Sequence, residues 1–277
     1  MLIYIYIYIF DLITSISLIS LRVNINKSIK YYFYQYNSVF STSTDKRNMK
    51  DKLSTIVSQS LNKRLTKIER SKMTINNPLD EIIIGLLLGD GHIQTRNGNS
   101  RFIYAQSSLR KHHLNYFYHI FELFKPFLSK NFEAKSRSFL DNRNNNIYTS
   151  ISFTTLTLPC FDIYKNLFYN LNNKKIVPSN IDQLLTPRGL AYWIMDDGSL
   201  QNKGLHLSTY SFSYSEVVLL KNTLINLFLP NFTLKCTIHK HKKGYRIYIW
   251  EESINLIRNH ISQFMHKNML YKITPRT

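Results

Sequence analysis

Leu184–Gly198, LLTPRGLAYWIMDDG, decides how this chain folds. Thr186 suits the N-cap of a helix, and Pro187 suits its first position, where a missing N–H is no loss. Leu190, Ala191, Trp193, Ile194 and Met195 leave almost no polar face, so the spacing predicts a buried helix. That helix is expected to stop at Asp196, Asp197 and Gly198. Carboxylates are unfavourable there, because a helix C-terminus carries partial negative charge. Two acids at that end make sense beside a cation.

The same pattern occurs earlier. Asn77 as N-cap, Pro78 at the first helical position and the acidic turn Asp80-Glu81 open a second apolar helix, IIIGLLLG, ending at Gly89, Asp90 and Gly91. A single apolar helix ending in Asp-Gly is ordinarily a C-cap and nothing more. Here both copies share a start and an ending, and Asp90 and Asp197 stand 107 positions apart (197 − 90). That separation is too long for a solenoid repeat and suits one small domain duplicated.

The segments Ile83–Gly91 (IIGLLLGDG) and Leu190–Gly198 (LAYWIMDDG, with its LTP lead-in) resemble the two signature helices of LAGLIDADG homing endonucleases. The nearest type is the single-chain, two-repeat form encoded in mitochondrial introns. The resemblance runs from about Pro78 to the C-terminus. It implies an α/β (α+β) fold of two pseudo-symmetric αββαββα halves, residues 78–178 and 179–277. These would pack through the motif helices, each half carrying an antiparallel sheet that saddles double-stranded DNA. It further implies that Asp90 and Asp197 hold Mg²⁺, with Mn²⁺ able to substitute. By local match, Lys175 and Lys272 are the lysines at the edge of the active site. The implied reaction is cleavage of both strands of a long asymmetric target by a monomeric pseudo-dimer that needs no protein partner. This sequence departs from the family pattern at one place. Gly85 and Gly89 permit close helix approach, but their repeat counterparts, Tyr192 and Asp196, are not small. The interface is therefore expected to be asymmetric, with catalysis assigned to Asp197 and a supporting role to Asp196.

Charge agrees with a polyanionic partner. Thirty-six Lys and Arg against 17 Asp and Glu give a formal net charge of +19, which suits phosphate neutralisation. Codon bias in an A+T-rich genome also raises Lys, and the two explanations are compatible. Cys160 and Cys236 lack CxxC spacing, so neither a disulfide framework nor a zinc site is indicated.

Residues 1–44 read apart from the rest. Met1–Leu21 is apolar and long enough to span a membrane, yet its opening Ile/Tyr alternation is strand-like. Arg22–Thr44 is basic and free of acids, as in an organellar transit segment. Translated upstream sequence is the other reading of this region, and both place the protein in the mitochondrion. Residues 45–77 read as a linker or N-terminal arm.

Asn97-Gly98 marks a hairpin turn between two alternating runs. His92, Gln94 and Arg96 share one face of its first strand, and Phe102, Tyr104 and Gln106 share one face of the second. Such a ribbon fits a major groove, where Arg and Gln read guanine and adenine edges. The DNA contacts expected from the first half are His92, Gln94, Arg96, Arg101, Gln106, Lys135, Arg137 and Arg143. From the second half they are Gln201, Lys203, His239, His241, Lys243 and Arg246, the last four around a Gly244 turn. His239 and His241 alternate on a strand but have no third ligand nearby, which favours a basic loop over a metal site. Helices are expected over 108–128, 159–170, 213–228 and 253–265. Two rival functions fit the same scaffold: a maturase acting on its own intron RNA, and a sequence-specific DNA-binding protein without catalysis. A membrane-anchored basic protein would rest on Met1–Leu21 alone.

Overall fold

The computed structural model describes residues 65–107, 110–142, 145–201 and 203–274. The readings of residues 1–44, most of the 45–77 arm and Arg143 fall outside them. No helix among the described residues is long and apolar enough to cross a membrane.

A one-turn helix, α1 (Lys67–Ser71), is closed by a capping box in which Thr66 and Glu69 bond each other's backbone N–H. The first half then runs α2 (Leu79–Leu88), β1 (His92–Arg96), β2 (Asn99–Ser107), α3 (Lys111–Phe124), β3 (Lys135–Asp141), β4 (Asn146–Thr154) and α4 (Asp162–Phe168). A short helix, α5 (Ile181–Leu184), leads into the second half. That half runs α6 (Pro187–Asp197), β5 (Gly198–Gln201), β6 (Gly204–Ser208), α7 (Tyr214–Asn226), β7 (Cys236–His241), β8 (Gly244–Ile249) and α8 (Glu251–Ile261). The strand orders are β1-β2-β4-β3 and β5-β6-β8-β7, the same arrangement twice. Every ladder is antiparallel.

Most elements follow from the local chemistry already noted. Thr186 caps α6 by accepting the Gly189 N–H, with Pro187 first in the helix. Asn97 (φ 52°) and Gly98 (φ 83°) make the expected tight turn, both in the left-handed region that a two-residue hairpin loop requires. At the start of α7, Ser213 and Glu216 add an unexpected capping box.

Three details differ from expectation. Pro78, not Asn77, is the cap of α2, because Leu79 N–H already closes a turn on the Asn76 carbonyl at 2.9 Å. Gly244 opens β8 rather than forming the turn, which lies at Lys242-Lys243. The segment expected as a helix over 159–170 divides into a 3₁₀ turn, Pro159–Phe161, and α4.

The two motif helices are the centre of the molecule. Residues 82–88 of α2 and 189–195 of α6 are all buried. Apolar residues of both halves, from Ile83 and Phe117 to Trp193 and Ile254, form one continuous core. At the crossing, a Cβ on Gly85 would lie 2.1 Å from the Gly189 carbonyl oxygen, so the backbones touch. The small residue opposite Gly85 is thus Gly189 and not its repeat counterpart Tyr192. Tyr192 turns away, its hydroxyl 2.8 Å from His119 Nε2.

Candidate active site and nucleic-acid face

The helix crossing brings the C-termini of α2 and α6 together, and with them Asp90, Asp196 and Asp197. At the end of α2, the Gly89 N–H returns to the Gly85 and Leu86 carbonyls, and the Gly91 N–H to Leu86 at 2.7 Å. The Asp90 N–H has no helix carbonyl and donates instead to Asp196 Oδ2 at 3.0 Å. The other oxygen of Asp196 accepts the Tyr104 hydroxyl at 2.8 Å. Asp90 lies open at the rim, and Asp196 and Asp197 are half-buried.

Each helix end carries a lysine. Lys175 Nζ donates to the carbonyls of Gly89 (3.0 Å) and Gly91 (2.9 Å). Lys272 Nζ donates to Met195 and to Asp196, the latter at 2.8 Å. These are the orphan acceptors of a helix C-terminus, where positive charge is favoured. The lysines therefore offset the helix ends and face the acids at once. Lys272 is only 6% exposed. Lys175 is held because its segment pairs with the chain after α4, through Tyr169–Lys175 and Ile176 N–H to Phe168.

Electrostatics show where charge is uncompensated. Burial, then the neighbouring Asp90, pushes Asp197 up to about 7, although Lys175 and Lys272 pull it down. Asp90 touches solvent at the rim, but the protein surrounding the cleft strips enough of its hydration to raise it against the pull of Lys272 and Lys175. Asp196 rises well above the carboxylate range, first through burial and then through Asp90. Burial lowers Lys175 to about 8 and lowers Lys272 as well, despite the attraction of the acids. Two lysines thus leave the acids short of positive charge, which is the demand a bound cation meets. The donors are carboxylate oxygens, a set suited to a hard ion. No trio of His, Cys, Asp or Glu able to hold a metal gathers among the described residues. Water and substrate oxygens would complete the coordination of any ion there.

The strand register places the expected DNA contacts. In the first sheet Gln94 pairs with Arg101, and Lys135 and Arg137 pair with Ser152 and Ser150. His92, Gln94, Arg96, Arg101, Lys135 and Arg137 therefore share the sheet's outer face. Arg101 Nε donates to Gln94 Oε1 at 3.0 Å, pre-forming a polar pair on that face. Gln106 is a correction. It alternates with Phe102 and Tyr104 on the core-facing row and is only 7% exposed. With Asp90, Asp196, His113 and Ser150 it lines a cleft of about 370 Å³, so it faces the acids and not the outer row.

In the second sheet Gln201, His239, His241 and Arg246 lie on the outer face. Lys203 and Lys243 sit in the hairpin turns, Lys203 within 3.5 Å of Glu251. Sequence reasoning missed His206 at the centre of this face. It bonds Gln201 Oε1 through Nδ1 at 3.0 Å and packs against the rings of His239 and Tyr248. Burial and then Arg246 lower it to about 4. Its alternation with Leu205 and Leu207 was the available signal.

Two crossing helices that end in acids, each flanked by a basic-faced antiparallel sheet, define a duplicated nucleic-acid-processing protein of the LAGLIDADG type. The family model described as "LAGLIDADG DNA endonuclease family" matches residues 80–257, and the chain belongs to that family. DNA endonuclease I-ChuI of Chlamydomonas applanata is 30% identical over 212 residues, covering 73% of this chain and 97% of the relative. Cytochrome b mRNA maturase bI2 of Saccharomyces cerevisiae is 30% identical over 258 residues, covering 85% of this chain and 59% of the relative. Among solved structures, the homing endonuclease I-WcaI bound to its DNA recognition sequence superposes with a TM-score of 0.65 at 26% identity. That match covers 80% of this chain and 93% of the other.

Proposed function

We propose that this chain is a site-specific DNA endonuclease that breaks both strands of a long asymmetric duplex at an intron insertion site. It acts as a monomer, its two halves replacing the subunits of a dimer, with Mg²⁺ as cofactor and the mitochondrion as its location. The observation that carries this reading is the pairing of Asp90 and Asp197 at adjacent helix ends, each beside a lysine that caps that end. Family membership and the likeness to a DNA-bound homing endonuclease support it. The likeness to cytochrome b maturases supports the organellar location.

Asp90 and Asp197 would hold Mg²⁺, which when bound activates water and stabilises developing charge on phosphate oxygens. The remaining work falls to the protein. The outer faces of the sheets seat the duplex, with Arg96, Arg101, Arg137 and Arg246 neutralising phosphates or reading guanine edges. Lys175 and Lys272 hold fixed positive charge beside the scissile phosphates, favouring the more negative transition state.

A second reading, RNA maturase activity on the same scaffold, is favoured by the likeness to cytochrome b mRNA maturase bI2. One experiment separates the two. The full chain is incubated in Mg²⁺ with plasmids carrying candidate intron-insertion sites, alongside Asp197→Asn. Double-strand breaks that vanish in the variant support the endonuclease. Binding without cleavage in Mg²⁺ and Mn²⁺ overturns it, and retained stimulation of intron splicing would then select the maturase.

A further inference from the structure

The acids of the two halves are not held alike. Asp197 is the last residue of α6 and is positioned by that helix. Asp90 lies beyond the end of α2, and its N–H is taken by a side chain of the other half, Asp196. Both oxygens of Asp196 are engaged, Oδ2 by Asp90 and Oδ1 by Tyr104. The fit is tight, since a Cβ on Gly89 would lie 2.6 Å from Asp196 Cβ. No reciprocal tie exists, because the repeat counterpart of Asp196 is Gly89 (196 − 107), which has no side chain to offer.

We propose that Asp196 is a positioning residue for Asp90, and that this one-sided tie makes cleavage of the two DNA strands depend unequally on it. The proposal rests on the endonuclease reading. Lys175 binds the end of α2 and Lys272 the end of α6, while Asp90 feels Lys272 more than Lys175 and Asp197 the reverse, so each acid has its own electrostatic setting. Removing the Asp196 carboxylate frees the backbone at Asp90. It leaves Asp197 and the Lys272 anchor in place, because Asp197 belongs to α6 and Lys272 binds the main-chain oxygen of Asp196. A loosened acid slows the strand it serves more than the other.

The test uses the full chain, a supercoiled plasmid carrying its target, and separately labelled strands. Asp196→Ala is expected to shift the ratio of the two strand-cleavage rates by about tenfold, as a 1 Å misplacement near the chemistry can cost more than that. Open-circle DNA accumulates while affinity for DNA in Ca²⁺ is unchanged. Asp196→Asn is expected to restore the ratio, since its amide can accept from Asp90 and donate to Tyr104. Equal slowing of both strands by Asp196→Ala, or an Asn variant as slow as Ala, would overturn the proposal. If the Ala variant fails to fold, Tyr104→Phe decides, because it frees Oδ1 alone. It should move the ratio in the same direction, and an unchanged ratio refutes the idea. Absence of cleavage by the unaltered protein refutes the endonuclease reading instead.

Discussion

Glu81 accepts a hydrogen bond from the Thr186 hydroxyl at 2.7 Å. One residue lies in the first turn of α2 and the other caps α6, so the starts of the two motif helices are joined across the halves. Arg188 Nε stands 3.5 Å from the same carboxylate. Thr186→Ala removes both the cap and the joint, and is expected to destabilise the protein by about 2 kcal/mol. Urea unfolding measures this, and Thr186→Ser should recover most of the loss.

The crossing point is less forgiving. A methyl group at Gly85 meets the Gly189 backbone at 2.1 Å, and neither helix end is free to retreat. Gly85→Ala should destabilise by about 3 kcal/mol or more, the upper range for overpacking a filled core. Gly98→Ala meets no atom within 4 Å and strains only the left-handed turn, for about 1 kcal/mol. Parallel thermal melts compare the two.

The acid cluster sets a pH dependence. Asp197 is raised from 3.8 to about 7, so between those values the folded state retains a proton that the unfolded chain releases. The contribution of Asp197 to metal-free stability should therefore fall as pH rises from about 4 to 7, with Asp90 acting in the same direction, while His206 and His113, each lowered to about 4, oppose it between pH 4 and 6.5. Lys175, lowered from 10.5 to about 8, opposes folding while charged, and that penalty is relieved as pH climbs from 8 toward 10.5. The melting temperature of the unaltered chain relative to Asp197→Asn in EDTA should decline as pH rises from about 4 to 7, and a constant difference would contradict the raised carboxyl. Adding Mg²⁺ should raise the melting temperature more at pH 8 than at pH 5, and equal gains would argue against metal held by the acids.

Lys272→Met keeps the buried stem but leaves the Met195 and Asp196 carbonyls without their donor. Single-turnover cleavage should fall about 100-fold, the scale for losing one preorganised donor. DNA affinity in Ca²⁺ should hold, because Lys272 lies beneath the sheets' outer faces.

On the second sheet, Arg246→Ala should weaken binding and flatten the slope of log affinity against log salt by about 1. Titrations across 50 to 200 mM salt would show it. A slope left unchanged would remove Arg246 from the phosphate contacts.

Much of this architecture was legible in the sequence because it is local. The cap at Thr186, the Asn97-Gly98 turn and the two apolar helices ending in acids each declare themselves within a dozen residues. What required the fold depends on contacts far apart in the chain. Alternation divides β2 into two faces, but only pairing with β4 and packing on α3 show that Gln106 lies inward. Lys175 and Lys272 came from family likeness, since nothing local separates them from other lysines. They reach carbonyls 84 and 76 positions away. The tie between Asp196 and Asp90 spans 106 positions and had no signal beyond a polar residue where a small one was expected.

The cross-half bonds have a consequence for how this chain can change. Glu81 needs Thr186 and Asp90 needs Asp196, so each half completes the other with groups its own repeat does not duplicate. The two halves share one strand order, yet these pairings make them non-interchangeable. A chimaera carrying the first half twice would place Gly89 where Asp196 stands and lose the lock on Asp90. Recombining halves between relatives to reach new DNA targets would therefore succeed only where the donor supplies matching partners at both ends of the crossed helices.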